Sequence, residues 1–534
     1  MNRARIKITD RGLVMQREPI KIIILGGGTA GWMTAAALVK ILPRNNYSIT
    51  LVESEQIGTV GVGEATIPHI RQFNALLEID ENDFIRATNA TYKLAICFEG
   101  WGKIGDRYFH PFGSFGHDIS GIEFQHYWLK LREKNMAAAF ADYSLPCIAA
   151  MNHKFEYPLA DDESLLSTYT YAFHIDAGLY ARYLRGYSET RGVFRQEGKV
   201  IDVRTKPVDG FIESVQMESG EIIQGDFFID CSGFASVLIE KTLKTGFEDW
   251  SHWLPCNRAI AIPSENISAP APYTRATARE AGWQWCIPLQ HRSGNGYVYS
   301  NNFISDDEAL AVLLKNLDGK PVAEPNHLKF IAGRRKKSWN KNCVAIGLSS
   351  GFLEPLESTS IYLVQMAILK FLEFIPGKTV NAILQSEFNR AIELEYCRIR
   401  DFLILHYHAT TRNDSPFWRY CQSMDIPDDL TRKLQLFKKT AHIEKYQHGL
   451  FMTPSWLALY FGQGVYPEAY DSRLEKYSHD EILQYTASLQ KDIAQSVKSM
   501  SAANVALERA IRSTEIDYPK AALSLYRVAK TCKK

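Results

Sequence analysis

Ile22-Ile23-Ile24-Leu25-Gly26-Gly27-Gly28-Thr29-Ala30-Gly31-Trp32 is the stretch whose reading decides the fold. Its apolar start predicts a buried strand, the glycines end it in a tight turn, and the residues from Thr29 onward open a helix. In a dinucleotide-binding turn, Gly26 makes the bend, Gly28 lets the backbone approach a pyrophosphate, and Gly31 lets helix pack on strand. The helix N-terminus then presents unpaired N–H groups and a partial positive charge to the phosphates. A chance glycine-rich turn would account for the glycines alone. It would not account for a second apolar run, Ser48 to Val52, that ends in Glu53, about 20 residues past the glycines, where an acidic side chain holds a ribose hydroxyl.

The chain is 534 residues long, enough for two or more domains or for one large α/β body with an addition. Lysine plus arginine number 61 against 60 aspartate plus glutamate, so no global charge draws the protein to nucleic acid, a membrane surface or an acidic partner. Nine cysteines, the last of them Cys532, are scattered without a CxxC pair. That argues against structural zinc and a disulfide framework, and a reducing cytoplasm is expected. The first twenty residues are charged throughout and carry no secretory apolar segment. Between Lys21 and Lys40 lies an uncharged run of membrane-spanning length, but its glycines and threonines fit a turn into a buried helix better. Residues 1–19 are read as a loose tail, in which Met15 is an alternative start; 20–380 form the α/β domain, and 381–534 a helical module.

Further along, Asn89 to Trp101 alternates Tyr92, Leu94, Ile96 and Phe98 against Lys93, Ala95 and Cys97, which predicts a strand with a solvated Lys93. Asp226 to Gly233 and Asn342 to Gly351 read as short buried strands ending in small-residue turns. The second of these contains Gly347-Leu348-Ser349-Ser350-Gly351, a GxSxG match to the nucleophile elbow of serine hydrolases. The elbow requires a helix directly after its serine, and Phe352-Leu353-Glu354-Pro355 does not supply one. Trp283-Gln284-Trp285-Cys286-Ile287-Pro288 places two indoles on one side of an extended segment. Glu354 and Glu357 lead into an apolar helix, Ile361 to Phe374, where the helix dipole alone would explain acidic residues. Beyond residue 380 helical spacing takes over, with a capping box at Ser478-His479-Asp480-Glu481 before Ile482, Tyr485, Leu489, Ile493 and Val497. No metal-spaced His, Cys or carboxylate array is present, and His406 and His408 are read as structural.

Together these segments resemble the flavin-dependent tryptophan halogenase family from about residue 20 to about residue 420. The resemblance rests on GGGTAGW at 26–32, GVGEATIP at 61–68, NATYK at 89–93, FHPFG at 109–113, DCSGF at 230–234, WQWCIP at 283–288 and GFLEPLESTS at 351–360. It implies a GxGxxG flavoprotein-monooxygenase-like α/β fold with mixed sheets, plus a mainly helical C-terminal module over the substrate site. It also implies FAD, used as FADH2, lined by Gly26, Gly28, Thr29, Ala30, Gly31, Glu53, Ala65, Val200, Leu348 and Ile361. Reduced FAD and O2 would turn chloride or bromide into hypohalous acid, with the halide held at Ser358, Thr359 and Ser360.

By the same resemblance, Lys93 matches the family's catalytic lysine and Glu357 its active-site glutamate. An ammonium at Lys93 supplies three hydrogen-bond donors, and burial would permit the neutral amine that a haloamine needs. Glu357 would stabilise the cationic arene and take its proton. His110 and Phe112 match residues that sandwich an indole, and Trp283 and Trp285 would keep substrate from the flavin. No second GxGxxG occurs after residue 31, and Gly294 with Gly296 lacks the third glycine. FADH2 is therefore expected from a separate NAD(P)H-dependent flavin reductase; the reading leaves a homodimer open. An aromatic-hydroxylating flavin monooxygenase and an inactive FAD-binding protein are the other readings, opposed by the paired tryptophans and by Lys93 with Glu357.

Two departures bear on substrate and halide. The segment His442 to Gln463 lacks the tyrosine pair and acidic-aromatic pattern that free-tryptophan members use. The expected substrate is therefore an indole-type or other electron-rich aromatic, or a peptide-borne tryptophan. Ser360 stands where many tryptophan-specific members have glycine, and bromide is expected to serve at least as well as chloride.

Overall fold

The computed structural model describes residues 6–9, 12–15, 18–56, 63–161, 163–375, 377, 379–446 and 449–513. The middle of the glycine-rich connection after Glu53, at 57–62, lies outside them and takes Gly61 and Val62 of the GVGEATIP motif with it, as does Cys532.

The opening stretch folds as read. Strand Ile20–Leu25 runs into helix Thr29–Ile41 through the glycine turn. The helix buries Met33, Ala35, Ala36, Ala37 and Leu38 completely, because it lies between the sheet and further helices. That all-round burial explains the uncharged run that resembled a membrane span, and no helix among the described residues is long and apolar enough to cross a membrane. The strand is central in a six-stranded sheet ordered Phe194–Glu197, Tyr47–Glu53, Ile20–Leu25, Phe227–Asp230, Cys343–Ala345, Trp339–Asn340. All neighbours are parallel except the last pair. Parallel strands covered on both faces read as continuous apolar runs, which is the character of Ile22 to Leu25.

A second sheet of seven strands carries the chemistry-bearing segments. Its order is Asn326–Lys329, Arg258–Ser264, Ser293–Tyr299, Gly282–Pro288, Tyr273–Arg279, Ala95–Glu99, Arg107–Pro111. Against this second sheet, a small antiparallel sheet pairs Ala172–Asp176 with Gly63–Ala65 on one edge and with Thr91–Lys93 on the other. The run Asn89 to Trp101 is thus two strands broken at Leu94, whose N–H turns to Pro272 O. Both faces are covered, so the alternation that predicted a solvated Lys93 does not apply.

C-terminal to this body, helices Ala382–His408, Pro416–Ser423, Asp428–Thr440, Thr453–Gly462 and His479–Ser499 pack onto it. The capping box at Ser478 and Glu481 forms as predicted. One apolar core extends from Ile22 to Ala510. Two details depart from the sequence reading. The tail contains an antiparallel pair, Ile6–Thr9 with Gly12–Met15, and strand pairing persists after residue 380, where Ser501–Ala502 joins Lys154–Phe155.

Candidate active site

At the nucleotide end, Gly26 sits at φ 115° and donates its N–H to Val52 O at 2.8 Å. A Cβ there would lie 2.2 Å from Cys231 O, and one on Gly31 would lie 1.9 Å from Gly26 O. The bend and the helix–strand approach therefore both demand glycine. Glu53 ends its strand beside the turn, so close that a Cβ on Gly27 would meet Glu53 Oε2 at 1.5 Å. The Glu53 carboxylate also accepts from Trp32 Nε1 at 3.3 Å and pairs with Arg195. Thr29 Oγ1 reaches Ala177 O at 3.4 Å. Ala30 abuts Gly347, next to Leu348, and Val200 pairs with Met217 and packs against the apolar cluster that contains Ile23, Leu25 and Val52. The segments at Gly26, Glu53, Ala30 and Gly347 meet at the first turn of helix Thr29–Ile41, and that cradle fits the diphosphate and ribose of a dinucleotide; no contact among the described residues brings Val200 to it. Ala65 and Ile361 are buried and belong to the other end, where Ala65 precedes Thr66, a partner of Lys93.

At that other end Lys93 is fully buried. Its Nζ donates to Thr66 O at 3.0 Å and to Ser358 Oγ at 2.7 Å, with the Phe112 ring 5.1 Å away. Burial brings its pKa down to about 7, against the opposing pull of Glu357. Ser358 occupies the left-handed region at φ 59°, which turns the chain from the short Pro355–Glu357 helix into helix Ser360–Glu373. Thr359 Oγ1 is buried there without a hydrogen-bond partner among the described residues. The free N–H groups of the helix's first turn, Ser360 among them, adjoin it and fit a small anion.

Glu357 is held on both oxygens: His110 Nδ1 lies 2.8 Å from Oε2, and His406 Nε2 lies 2.7 Å from Oε1. Burial raises the carboxyl's pKa, but the two imidazoles outweigh it and hold the group down at about 2. Glu357 is thus an ionised carboxylate beside a lysine poised between ammonium and amine.

His406, whose spacing predicts a structural role, is a direct partner of Glu357 in the fold. Two-residue spacing from His408 concealed it, because each histidine takes its own direction on helix Ala382–His408. The available signal was the four-residue step from Phe402 to His406, which puts the imidazole on the helix's buried face. Glu354, a second group the sequence left without a task, is fully buried. Its Oε2 accepts from Trp283 Nε1 at 2.7 Å and Tyr407 OH at 2.5 Å, while Oε1 has no partner among the described residues. Burial pushes its pKa up to about 7. Trp283 and Trp285 share one face of strand Gly282–Pro288 with ring centroids 6.1 Å apart. The Trp285 ring lies across Gly296, whose Cβ would meet it at 2.0 Å. Gly294 and Gly296 thus serve packing. The GxSxG serine, Ser349, is fully buried and donates to Asp230 O, which leaves no exposed nucleophile.

The family model for tryptophan halogenase matches residues 21–479. The chain belongs to the tryptophan halogenase family. Among curated relatives, the halogenase called tryptophan 6-halogenase SttH, from Streptomyces toxytricini, is 36% identical over 482 residues, covering 84% of this chain and 90% of that protein. Among solved structures, BrvH, a flavin-dependent halogenase from Brevundimonas sp. BAL3, matches with a TM-score of 0.89 at 44% identity over 92% of this chain and 100% of that one. Xcc4156, a flavin-dependent halogenase from Xanthomonas campestris, gives 0.89 and 44% over 92% and 98%. This halogenase is accordingly a flavin-dependent oxidoreductase with the α/β architecture of those structures.

Proposed function

We propose that this halogenase uses FADH2, O2 and bromide or chloride to halogenate an electron-rich aromatic, an indole or tryptophan-related molecule. The observation that carries the reading is the contact of Lys93 with Ser358, whose chain neighbour Glu357 is a doubly held carboxylate. Bound flavin would supply the oxidising equivalents that turn halide into hypohalous acid. Gly26, Gly28, Thr29, Ala30, Gly31 and Glu53 would hold its nucleotide half. Ser358, Thr359 and Ser360 would hold the halide.

Lys93 then has one task and Glu357 another. The buried ammonium offers N–H donors to hypohalous acid, and the neutral amine, accessible at a pKa of about 7, would form a haloamine. Glu357, kept ionised, faces the positive charge that develops on the attacked ring and takes the departing proton. His110 and Phe112 border the same space and supply flat faces for the ring. Trp283 and Trp285 would keep the aromatic from the flavin.

Recognition of free tryptophan is disfavoured by the fate of the segment 442–463. Trp456, Tyr460 and Phe461 on helix Thr453–Gly462 are buried, with Tyr460 stacked 4.0 Å from Phe437. Those rings are taken up in packing, which favours an uncharged indole or a tryptophan within a peptide. A separate flavin reductase would supply FADH2. The test is mass spectrometry after incubation with FAD, a reductase, NADPH and bromide over a panel of indoles, tryptophan and tryptophan peptides. Absence of any halogenated product would sink the proposal. Equimolar chloride and bromide decide the halide, with bromide incorporation at least equal to chloride expected.

A further inference from the structure

The directions of the hydrogen bonds behind Glu357 can be worked out from one fixed point. Gln463 comes directly after helix Thr453–Gly462, and its side-chain Nε2 lies 2.9 Å from the backbone oxygen of His406. A carbonyl oxygen only accepts, so the atom facing it is the amide nitrogen. The same nitrogen lies 3.2 Å from Tyr108 OH, and its second N–H therefore donates to the phenol oxygen. Among the described residues the phenol's other hydrogen-bond neighbour is His406 Nδ1, at 3.2 Å, and the phenol proton points at it. Nδ1 must then be unprotonated, and the proton of the neutral ring sits on Nε2, aimed at Glu357 Oε1 at 2.7 Å.

The rings in this chain are held independently of the hydrogen bonds. Phe98 stacks on Tyr108 at 5.0 Å and 14°, and also lies against His406 at 4.7 Å. A Cβ on Gly462 would come within 2.4 Å of the Tyr108 ring, and one on Gly102 would sit 3.0 Å from Gln463 Cα. Both positions are glycine where the backbone must admit this arrangement.

From this geometry we infer that Gln463 and Tyr108 are positioning residues for halogenation: they lock His406 in the Nε2–H tautomer, so that it stands as a permanent donor to Glu357. A ring of either tautomer would fit the space. Only this one avoids setting a nitrogen lone pair against the carboxylate, and only this one denies His406 a proton from Glu357. The carboxylate is thereby kept ionised and fixed in direction while an arene approaches. The segment that ends at Gln463 also departs from the free-tryptophan pattern, so one stretch of chain bears on both substrate and base. This inference rests on the reading of Glu357 as the group that takes the arene proton.

The tautomer is measurable without turnover. Full-length protein labelled with 15N-histidine contains 14 such residues, and His406 is assigned by its loss in His406→Asn. The expected spectrum has an unprotonated Nδ1 and a protonated Nε2; a protonated Nδ1 or an imidazolium overturns the inference. Tyr108→Phe removes the phenol proton and is expected to release the tautomer, with kcat lowered about tenfold or more and KM for the aromatic unchanged. An unchanged His406 spectrum with unchanged kcat in that variant also overturns it. The wild-type spectrum decides the tautomer even if the variant does not fold. Failure of the halogenase reading registers separately, as absence of halogenated product.

Discussion

Lys93 Nζ and Ser358 Oγ lie 2.7 Å apart although 265 residues separate them in the chain. The contact closes the small sheet that carries Lys93 onto the turn that carries Glu357, and thereby sets the two functional side chains beside each other. Among the described residues no carboxylate lies within ion-pair distance of the Lys93 ammonium, so its charge is buried at a cost. A site that stores such a cost for function is expected to gain stability when the charge is removed.

Lys93→Ala is expected to abolish halogenation while hypohalous acid is still produced and escapes. A hypohalite trap in the reductase-coupled assay reads the release, and mass spectrometry reads the product. Loss of both together would assign Lys93 to an earlier step.

Stability should report the same burial. With the folded pKa at about 7 and the ordinary value at 10.5, the unfolded chain holds a proton that the folded chain lacks between those values, so this group makes stability rise with pH across that window. Below about 7 the whole cost of the buried ammonium remains. Lys93→Met is expected to raise Tm most near or below neutral pH, with the gain shrinking toward pH 10.5. A gain independent of pH would show that it comes from packing.

Glu354 has the opposite sign. Its pKa is raised from 4.5 to about 7, so the folded chain holds a proton that the unfolded chain has lost between those values, and the stability contributed is lost as pH rises through the window. Glu354→Gln keeps an acceptor for Trp283 and Tyr407 and removes the titration. Its melting temperature is expected to match the wild type near pH 4.5 and exceed it above 7; parallel curves would contradict the assignment.

Gly31→Ala tests the nucleotide cradle. A Cβ at 1.9 Å from Gly26 O must push the turn open, and flavin affinity is expected to fall by about tenfold or more, on the order of 1.4 kcal/mol. Titration of FAD followed by its fluorescence measures the change, and retained affinity would place the flavin elsewhere.

Replacement of both Trp283 and Trp285 by phenylalanine tests the separation of substrate from flavin. Hydroxylated aromatic product is expected beside the halogenated one. An unchanged product spectrum would leave these indoles a packing role, with Trp283 serving as the donor that holds Glu354.

Much of the backbone was legible before any tertiary contact was known. The strand and helix around Gly26 to Gly31, the capping box at Ser478, and the indoles of Trp283 and Trp285 on one face all arise from residue type and period within a short window. The hydrolase alternative also failed on local grounds, and the burial of Ser349 agrees. What period could not give was the environment of Lys93. Alternation distinguishes two faces of a strand, but it assigns one of them to water only when nothing covers it; here both are covered. His406 escaped for a related reason, since its partner Glu357 lies 49 residues away and sequence spacing carries no direction between segments.

By itself, then, the sequence determined a dinucleotide turn at Gly26 to Gly31 and, through its motifs, pointed to Lys93 and Glu357. Tertiary structure alone decided their chemical state. A pKa depends on what surrounds a group, and Lys93 is brought to about 7 and Glu357 to about 2 by burial and by two imidazoles that only the packed chain brings together.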